Sequence, residues 1–288
     1  MGSGKLASYI PELARADPSK FALVLRSVDG HVVRSGHAEE PFTFQSVSKV
    51  FTFCYLLSTG GDAILDQMPC EPSGDAFHSI VRLEDEHGHP RNPYINAGAI
   101  MVSDRLRGSN AKDKIDGFVD FLRALSEGER LQVDERVYAS EFATGNRNRA
   151  LAHYMNHYGL IDDPAMAVDT YFRQCSLTLD TARLARIGLF LANRGRDPET
   201  DHRVLTEDHN RAAVALMATC GLYDEVGRYA IRVGVPSKSG VSGPILAVVP
   251  GRMTIAAYSP ELGPKGNSVA GMTALTVLSK RLRLSVFG

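Results

Sequence analysis

Ser46 and Lys49 lie three positions apart in FTFQSVSKVF, residues 42 to 51. On a helix that spacing sets both on one face, one turn apart. Val47, Val50, Phe51, Cys54 and Leu57 take the other side and would turn the polar pair toward a cleft. A serine hydroxyl is a weak nucleophile at neutral pH and needs a base, which a desolvated lysine with a lowered pKa can be. In a first helical turn Ser46 would also keep a backbone N–H without an intrahelical partner, available to a developing oxyanion.

Chance can supply such a pair. With 22 serines and 8 lysines, Ser-x-x-Lys is expected roughly 0.6 times in this chain. It occurs twice. The second copy, Ser109-Asn110-Ala111-Lys112, falls in GSNAKDK, which reads as a polar loop with no apolar face behind it. The first copy is strengthened by Lys238-Ser239-Gly240, a triplet expected by chance only about 0.1 times. Serine acyl-transfer enzymes with Ser-x-x-Lys carry such a triplet on a strand bordering the cleft, where Gly admits the substrate and Lys supplies positive charge. By itself the triplet could be a strand-end turn. The two motifs in this order point to serine acyl transfer.

The elements that would position these groups come from both ends of the chain. Residues 21–38, FALVLRSVDGHVVRSGHA, read as a hairpin with its turn over Ser27–Gly30, preceded by a short helix containing Tyr9 to Leu13. Residues 245–259 read as a second hairpin turning at Pro250-Gly251, and VGVPSKSG before it as a further strand. Asn267-Ser268 caps a terminal helix. The intervening pattern is helical: KVFTFCYLLSTGG, NAGAIMVSDRL, KIDGFVDFLRALSE, NRNRALAHYMNHYG, AVDTYFRQCSLT, TARLARIGLFLANRG and RAAVALMATCG, most closing on Gly or Asn. The expected fold is therefore α+β. One antiparallel sheet is built from both chain ends (about 1–60 and 221–288) and flanked by helices, with a helical subdomain over about 61–220, all in a single domain of 288 residues.

Composition narrows the classes. With 32 basic against 33 acidic residues, no charge patch argues for nucleic acid or an anionic membrane. No secretory leader or membrane span is readable, which predicts a cytoplasmic protein. Cys54, Cys70, Cys175 and Cys220 are far apart and read as reduced thiols rather than disulfides or a zinc site. Glu84, Glu86, His87 and His89 in EDEHGH have no metal-cage spacing and read as a solvated loop. Nucleotide-binding glycine motifs and the G-x-S-x-G elbow are absent.

Beyond these motifs, the blocks YIPELA, FQSVSKVF, EPSG, NPYINAGAI, SEFATGNRNRALA, YFRQCS, GLYDEVGRYA, VPSKSGVSG, VVPG and GNSVAG resemble, in order and over nearly the whole chain, the serine-dependent glutaminases. The resemblance implies a β-lactamase-like fold, hydrolysis of L-glutamine to L-glutamate and ammonia, no metal or organic cofactor, and a homo-oligomer. Carried onto this sequence, the nucleophile is Ser46, its lysine Lys49, and the catalytic tyrosine Tyr223. Substrate contacts fall on Tyr9, Asn96, Glu141, Asn148 and Tyr171, and Val241 would give an oxyanion N–H beside that of Ser46. These types suit glutamine: Glu141 can take the ammonium, and Asn96, Asn148 and Tyr9 can donate to carboxylate or carboxamide. Whether Lys49 or Tyr223 takes the first proton stays open.

Three positions depart from the family pattern. His78 stands where asparagine is expected, and Ser242 and Pro244 stand where glycines are expected; Pro244 removes a backbone donor and stiffens the strand. Two rivals stay open at this level: a penicillin-recognising hydrolase of the same fold, and a binding protein that keeps the pocket without turnover.

Overall fold

A computed structural model describes residues 4–74, 79–126 and 130–288; His78 lies outside them. The strands are β1 (Ala22–Ser27), β2 (Val32–Gly36), β3 (Phe42–Thr43), β4 (Gln132–Val133), β5 (Leu177–Leu179), β6 (Ser237–Ser239), β7 (Pro244–Val249) and β8 (Met253–Tyr258). The first helices are α1 (Ser48–Ser58), α2 (Ile64–Gln67), α3 (Val81–Asp85), α4 (Asn96–Arg105), α5 (Ala111–Leu125), α6 (Glu135–Thr144) and α7 (Asn146–His157). They are followed by α8 (Pro164–Cys175), α9 (Thr181–Ile187), α10 (Leu189–Ala192), α11 (Glu207–Cys220), α12 (Val226–Arg232) and α13 (Val269–Leu282).

The main sheet has the order β2-β1-β8-β7-β6 and is antiparallel throughout, so strands from the two chain ends meet at the β1–β8 pair. Alternation along β7 sends Leu246 and Val248 into the core shared with α1, α4 and α9. Ile245, Ala247 and Val249 point to the opposite face, against Tyr229 of α12 and Leu275 of α13. Both faces being covered, β7 reads as a continuous apolar run. The edge strand β2 is exposed along its whole length and carries Arg34, the kind of edge that resists further pairing.

Helix α1 runs through the interior and packs on α4, α5, α8 and α11. Its apolar residues are buried on several sides, and Lys49 and Thr52 are buried with them. The expected division into an apolar side and a polar cleft-facing side is therefore corrected: α1 has no solvated face at Lys49.

Other local expectations also change. The pattern AVDTYFRQCSLT is not helical to its end. Ser176 closes α8, and Leu177–Leu179 pairs with Phe42–Thr43 and Gln132–Val133 in a small second sheet. TARLARIGLFLANRG is split at Gly188 into α9 and α10. Glu84 and Asp85 end the short helix α3 rather than lying in a loop. Ser109 to Lys112 is a helix start: the Asn110 side chain accepts from Asp113 N, and α5 turns Ile115, Phe118 and Leu122 inward. Lys112 there is spent on Asp116 at 2.6 Å. Among the described residues no helix is long and apolar enough to cross a membrane.

Candidate active site

Ser46 sits on a single 3-10 turn, Gln45–Val47, directly ahead of α1, rather than inside the first turn of the helix. Gln45 holds a left-handed φ of 47°, uncommon for a residue with a side chain and of the kind that collects at functional sites. Its buried amide donates to the Cys175 carbonyl at 3.3 Å, which fixes the turn. Ser46 is 6% exposed and lines a cavity of about 340 Å³.

Lys49, one turn on, is fully buried. Its Nζ donates to Asn96 Oδ1 at 2.7 Å and to the Tyr94 carbonyl at 3.3 Å, with Nζ 5.6 Å from the Tyr171 ring centre. Burial lowers its pKa to about 8, while nearby Cys175 and Glu141 pull it back up. Asn96 opens α4 after an Asx turn in which Asn92 Oδ1 accepts the N–H groups of Tyr94 and Ile95. Its side chain is a junction: Oδ1 takes Lys49 and the Tyr171 hydroxyl (3.2 Å), and Nδ2 donates to Asn148 Oδ1 at 2.9 Å.

Glu141 and Asn148 enter from α6 and α7, which meet at Gly145. A Cβ there would lie 2.2 Å from the Phe172 ring and 2.7 Å from the Glu141 carbonyl, so only glycine lets the two helices turn so closely. Glu141 is 7% exposed, and its Oε2 is buried without a hydrogen-bond partner among the described residues. Burial raises its pKa to about 8 against the lowering effects of Gln45 and Lys49. A cationic group entering the cavity would pull that carboxyl back to its charged form. Tyr9, half exposed, stands at the cavity mouth just ahead of a 3-10 helix over Pro11–Arg15.

Tyr223 follows α11 through Gly221, where a Cβ would meet the Ser237 carbonyl at 1.7 Å; the close approach brings the end of α11 against β6. Tyr223 itself has a φ of 54°. Burial raises its phenol to about 12, opposed by hydrogen bonds to Ser46 and Ser239. The phenol therefore stands beside the nucleophile and donates to the Ser239 carbonyl at 3.4 Å. Lys238 is not at the cleft surface as its triplet suggested. It is fully buried, donates to the carbonyls of Gly221 (3.0 Å) and Ser239 (2.8 Å), and lies 4.6 Å from the Tyr223 ring centre. β6 is the last strand of the sheet, paired with β7 alone, yet all three of its residues are buried.

Neither the Ser46 nor the Val241 N–H has an acceptor among the described residues. Val241 lies in the turn Gly240–Gly243, closed by Gly243 N–H to the Gly240 carbonyl at 3.0 Å. Ser242 Oγ donates to the Thr43 carbonyl at 2.6 Å, tying that turn to the strand ahead of Ser46. Pro244 starts β7 opposite Tyr258 and accepts the Gly240 N–H at 2.9 Å, while the Gly240 carbonyl that a donor at position 244 would face is taken by the Gly243 N–H.

A family model described as Glutaminase matches residues 4–287. The chain belongs to the glutaminase family. A glutaminase of Rhodopseudomonas palustris (strain BisB5) is 48% identical over 287 residues, 99% of this chain and 92% of the relative. Among solved structures, the probable glutaminase ybaS superposes with a TM-score of 0.94 at 38% identity, over 100% of this chain and 93% of that one. A probable glutaminase from Bacillus subtilis complexed with 6-diazo-5-oxo-L-norleucine superposes with a TM-score of 0.90 at 35% identity, over 99% of this chain and 90% of that one. The fold is thus the β-lactamase-like fold of the glutaminases.

Of the nine residues singled out from sequence, Tyr9, Ser46, Asn96, Glu141, Asn148 and Tyr171 line one cavity with Gln45 and Arg147. Lys49 reaches that cavity through its hydrogen bond to Asn96, and Tyr223 and Val241 line an adjoining cavity that Tyr9 shares. Gln45 and Arg147 were missed. Gln45 adjoins the nucleophile in sequence, but its left-handed turn carries no residue-type signal; Arg147 was readable only as a cation in a helix.

Proposed function

We propose that this chain hydrolyses L-glutamine to L-glutamate and ammonia through a Ser46 acyl-enzyme. The observation that carries the reading is the convergence of Glu141, Asn96, Asn148 and Tyr171 on the 340 Å³ cavity whose wall holds Ser46. Glu141 matches an α-ammonium, the amides and phenols match carboxylate and carboxamide, and the volume suits an amino acid.

In the cycle, Ser46 Oγ bonds to the γ-carboxamide carbon and its proton passes to Lys49. Of the two candidates, Lys49 titrates at about 8 and can be neutral near physiological pH, whereas Tyr223 at about 12 stays protonated. The N–H groups of Ser46 and Val241 receive the oxyanion. Tyr223, beside Ser46, passes a proton to the departing nitrogen and is reprotonated by Lys49, and the C–N bond breaks to release ammonia. Water then adds to the γ-glutamyl ester, glutamate leaves, and Ser46 regains its proton.

The proposal includes a single domain over residues 1–288, a cytoplasmic location favoured by the four free cysteines, and a homo-oligomer on family analogy. Treating the protein with 6-diazo-5-oxo-L-norleucine tests the nucleophile. Peptide mass spectrometry should find the adduct on Ser46; an adduct on another residue, with Ser46 unmodified, overturns the assignment.

A further inference from the structure

We propose that a second cavity beyond Tyr9 is a leaving-group subsite, admitting γ-glutamyl amides whose amide nitrogen bears a carboxylate-carrying substituent, such as γ-glutamyl amino acids. The inference rests on the Ser46 acyl-enzyme reading above. The cavity measures about 660 Å³ and is lined by Tyr9, Tyr223, Val241, Lys5, Asp224 and Lys265, among others. Tyr9 lines both it and the cavity that holds Glu141 and Asn96.

Stereochemistry connects the two. The attacked carbon carries four groups in the tetrahedral intermediate. Its Cγ chain and amino-acid head lie in the first cavity, the Ser46 oxygen is the nucleophile, and the oxyanion faces the N–H groups of Ser46 and Val241. The fourth group, the amide nitrogen, is left to face Tyr223, which stands beside Ser46 and lines the second cavity. A substituent on that nitrogen therefore extends into the second cavity. Ammonia, a molecule of water's size, would need only about 10–15 Å³ of such space, so the cavity exceeds what glutamine hydrolysis requires.

Charge selects the substituent. Asp224 is paired with Lys265 at 3.4 Å, while the exposed Lys5 ammonium has no ion-pair partner among the described residues. One uncompensated cation on this wall favours an anionic leaving group over a neutral or cationic one. In the step, the C–N bond of the substituted amide breaks as the proton taken from Ser46 reaches the nitrogen by way of Tyr223. The free amino acid departs, and water cleaves the same γ-glutamyl ester.

The test compares L-glutamine, γ-glutamyl-glycine and γ-glutamyl-ethylamide on the wild type, Lys5→Glu and Lys5→Met. Release of glycine at a kcat/KM at least fivefold above release of ethylamine is expected. Lys5→Glu should lower the γ-glutamyl-glycine value at least tenfold, and Lys5→Met by less, with glutamine hydrolysis within twofold of wild type in both. Wild type that hydrolyses glutamine but releases no glycine overturns the subsite and leaves the glutaminase reading standing. Undiminished γ-glutamyl-glycine hydrolysis by Lys5→Glu also overturns it. Failure on all three substrates removes the acyl-enzyme reading and the subsite with it.

Discussion

Lys49 Nζ donates to Asn96 Oδ1 at 2.7 Å, so the proposed base and a proposed substrate contact share one hydrogen bond. The bond couples proton transfer to binding. Asn96→Asp would place a carboxylate on the amine and hold the ammonium form. An opposite charge this close moves a pKa by about 1–3 units. The pH at which kcat rises, expected near 8 in the wild type, should therefore move up by about that amount. Initial-rate pH profiles check it, and an unmoved acid limb would separate Lys49 from the proton transfer.

Glu141 supports two measurements. As the ammonium partner it should contribute about 1.5–3 kcal/mol through a charged hydrogen bond, so Glu141→Gln should raise KM for glutamine about 10- to 100-fold. Its folded-state pKa of about 8 lies above the ordinary 4.5 because of burial. A raised carboxyl pKa means that stability is full at low pH and is lost as pH rises through 8. Thermal unfolding should therefore show Glu141→Gln gaining on wild type between pH 6 and pH 9. Below pH 8, glutamine binding should also release a proton, readable by calorimetry in buffers of different ionisation enthalpy.

Tyr223→Phe removes the hydroxyl that stands beside Ser46 and donates to the Ser239 carbonyl while keeping the ring beside Lys238. A positioned acid–base group contributes about 10²–10⁴ in rate. A fall in kcat of that order, with KM changed little, is the expected result of steady-state kinetics.

Ser242 ties the turn carrying Val241 to Thr43 through a buried 2.6 Å bond. Ser242→Ala leaves the Thr43 carbonyl unpaired, at a cost of about 1 kcal/mol. It also loosens one side of the proposed oxyanion hole. Complete loss of a donor there costs about 10²–10³ in kcat, and a loosened one should cost a fraction of that, with KM unchanged. Tm and kcat measured on the same variant check both parts.

Strand pairing from both chain ends was legible because β1, β7 and β8 are rich in Val, Ile and Ala and their hairpins turn at Asp29-Gly30 and Pro250-Gly251. The small sheet of β3, β4 and β5 was not, since strands of two or three residues carry no period. Burial of Lys49 and Lys238 was equally hidden. A lysine in a sequence suggests solvent, and only packing of α1 and β6 on all sides reveals otherwise. The site residues were legible mainly as motif blocks. Asn96 and Asn148 taken singly read as helix caps or solvated positions, and their bond to each other at 2.9 Å exists only in the fold. The left-handed backbone at Gln45 and Tyr223 had no sign either, since neither residue is one that favours it.

Ammonia release from L-glutamine by the wild type and by Ser46→Ala, with thermal unfolding showing both folded, tests the central claim most directly. The account predicts steady release by the wild type and loss of at least about 10³-fold in the variant, as removal of an activated nucleophile produces. A folded Ser46→Ala protein that still releases ammonia at a rate near wild type would contradict it.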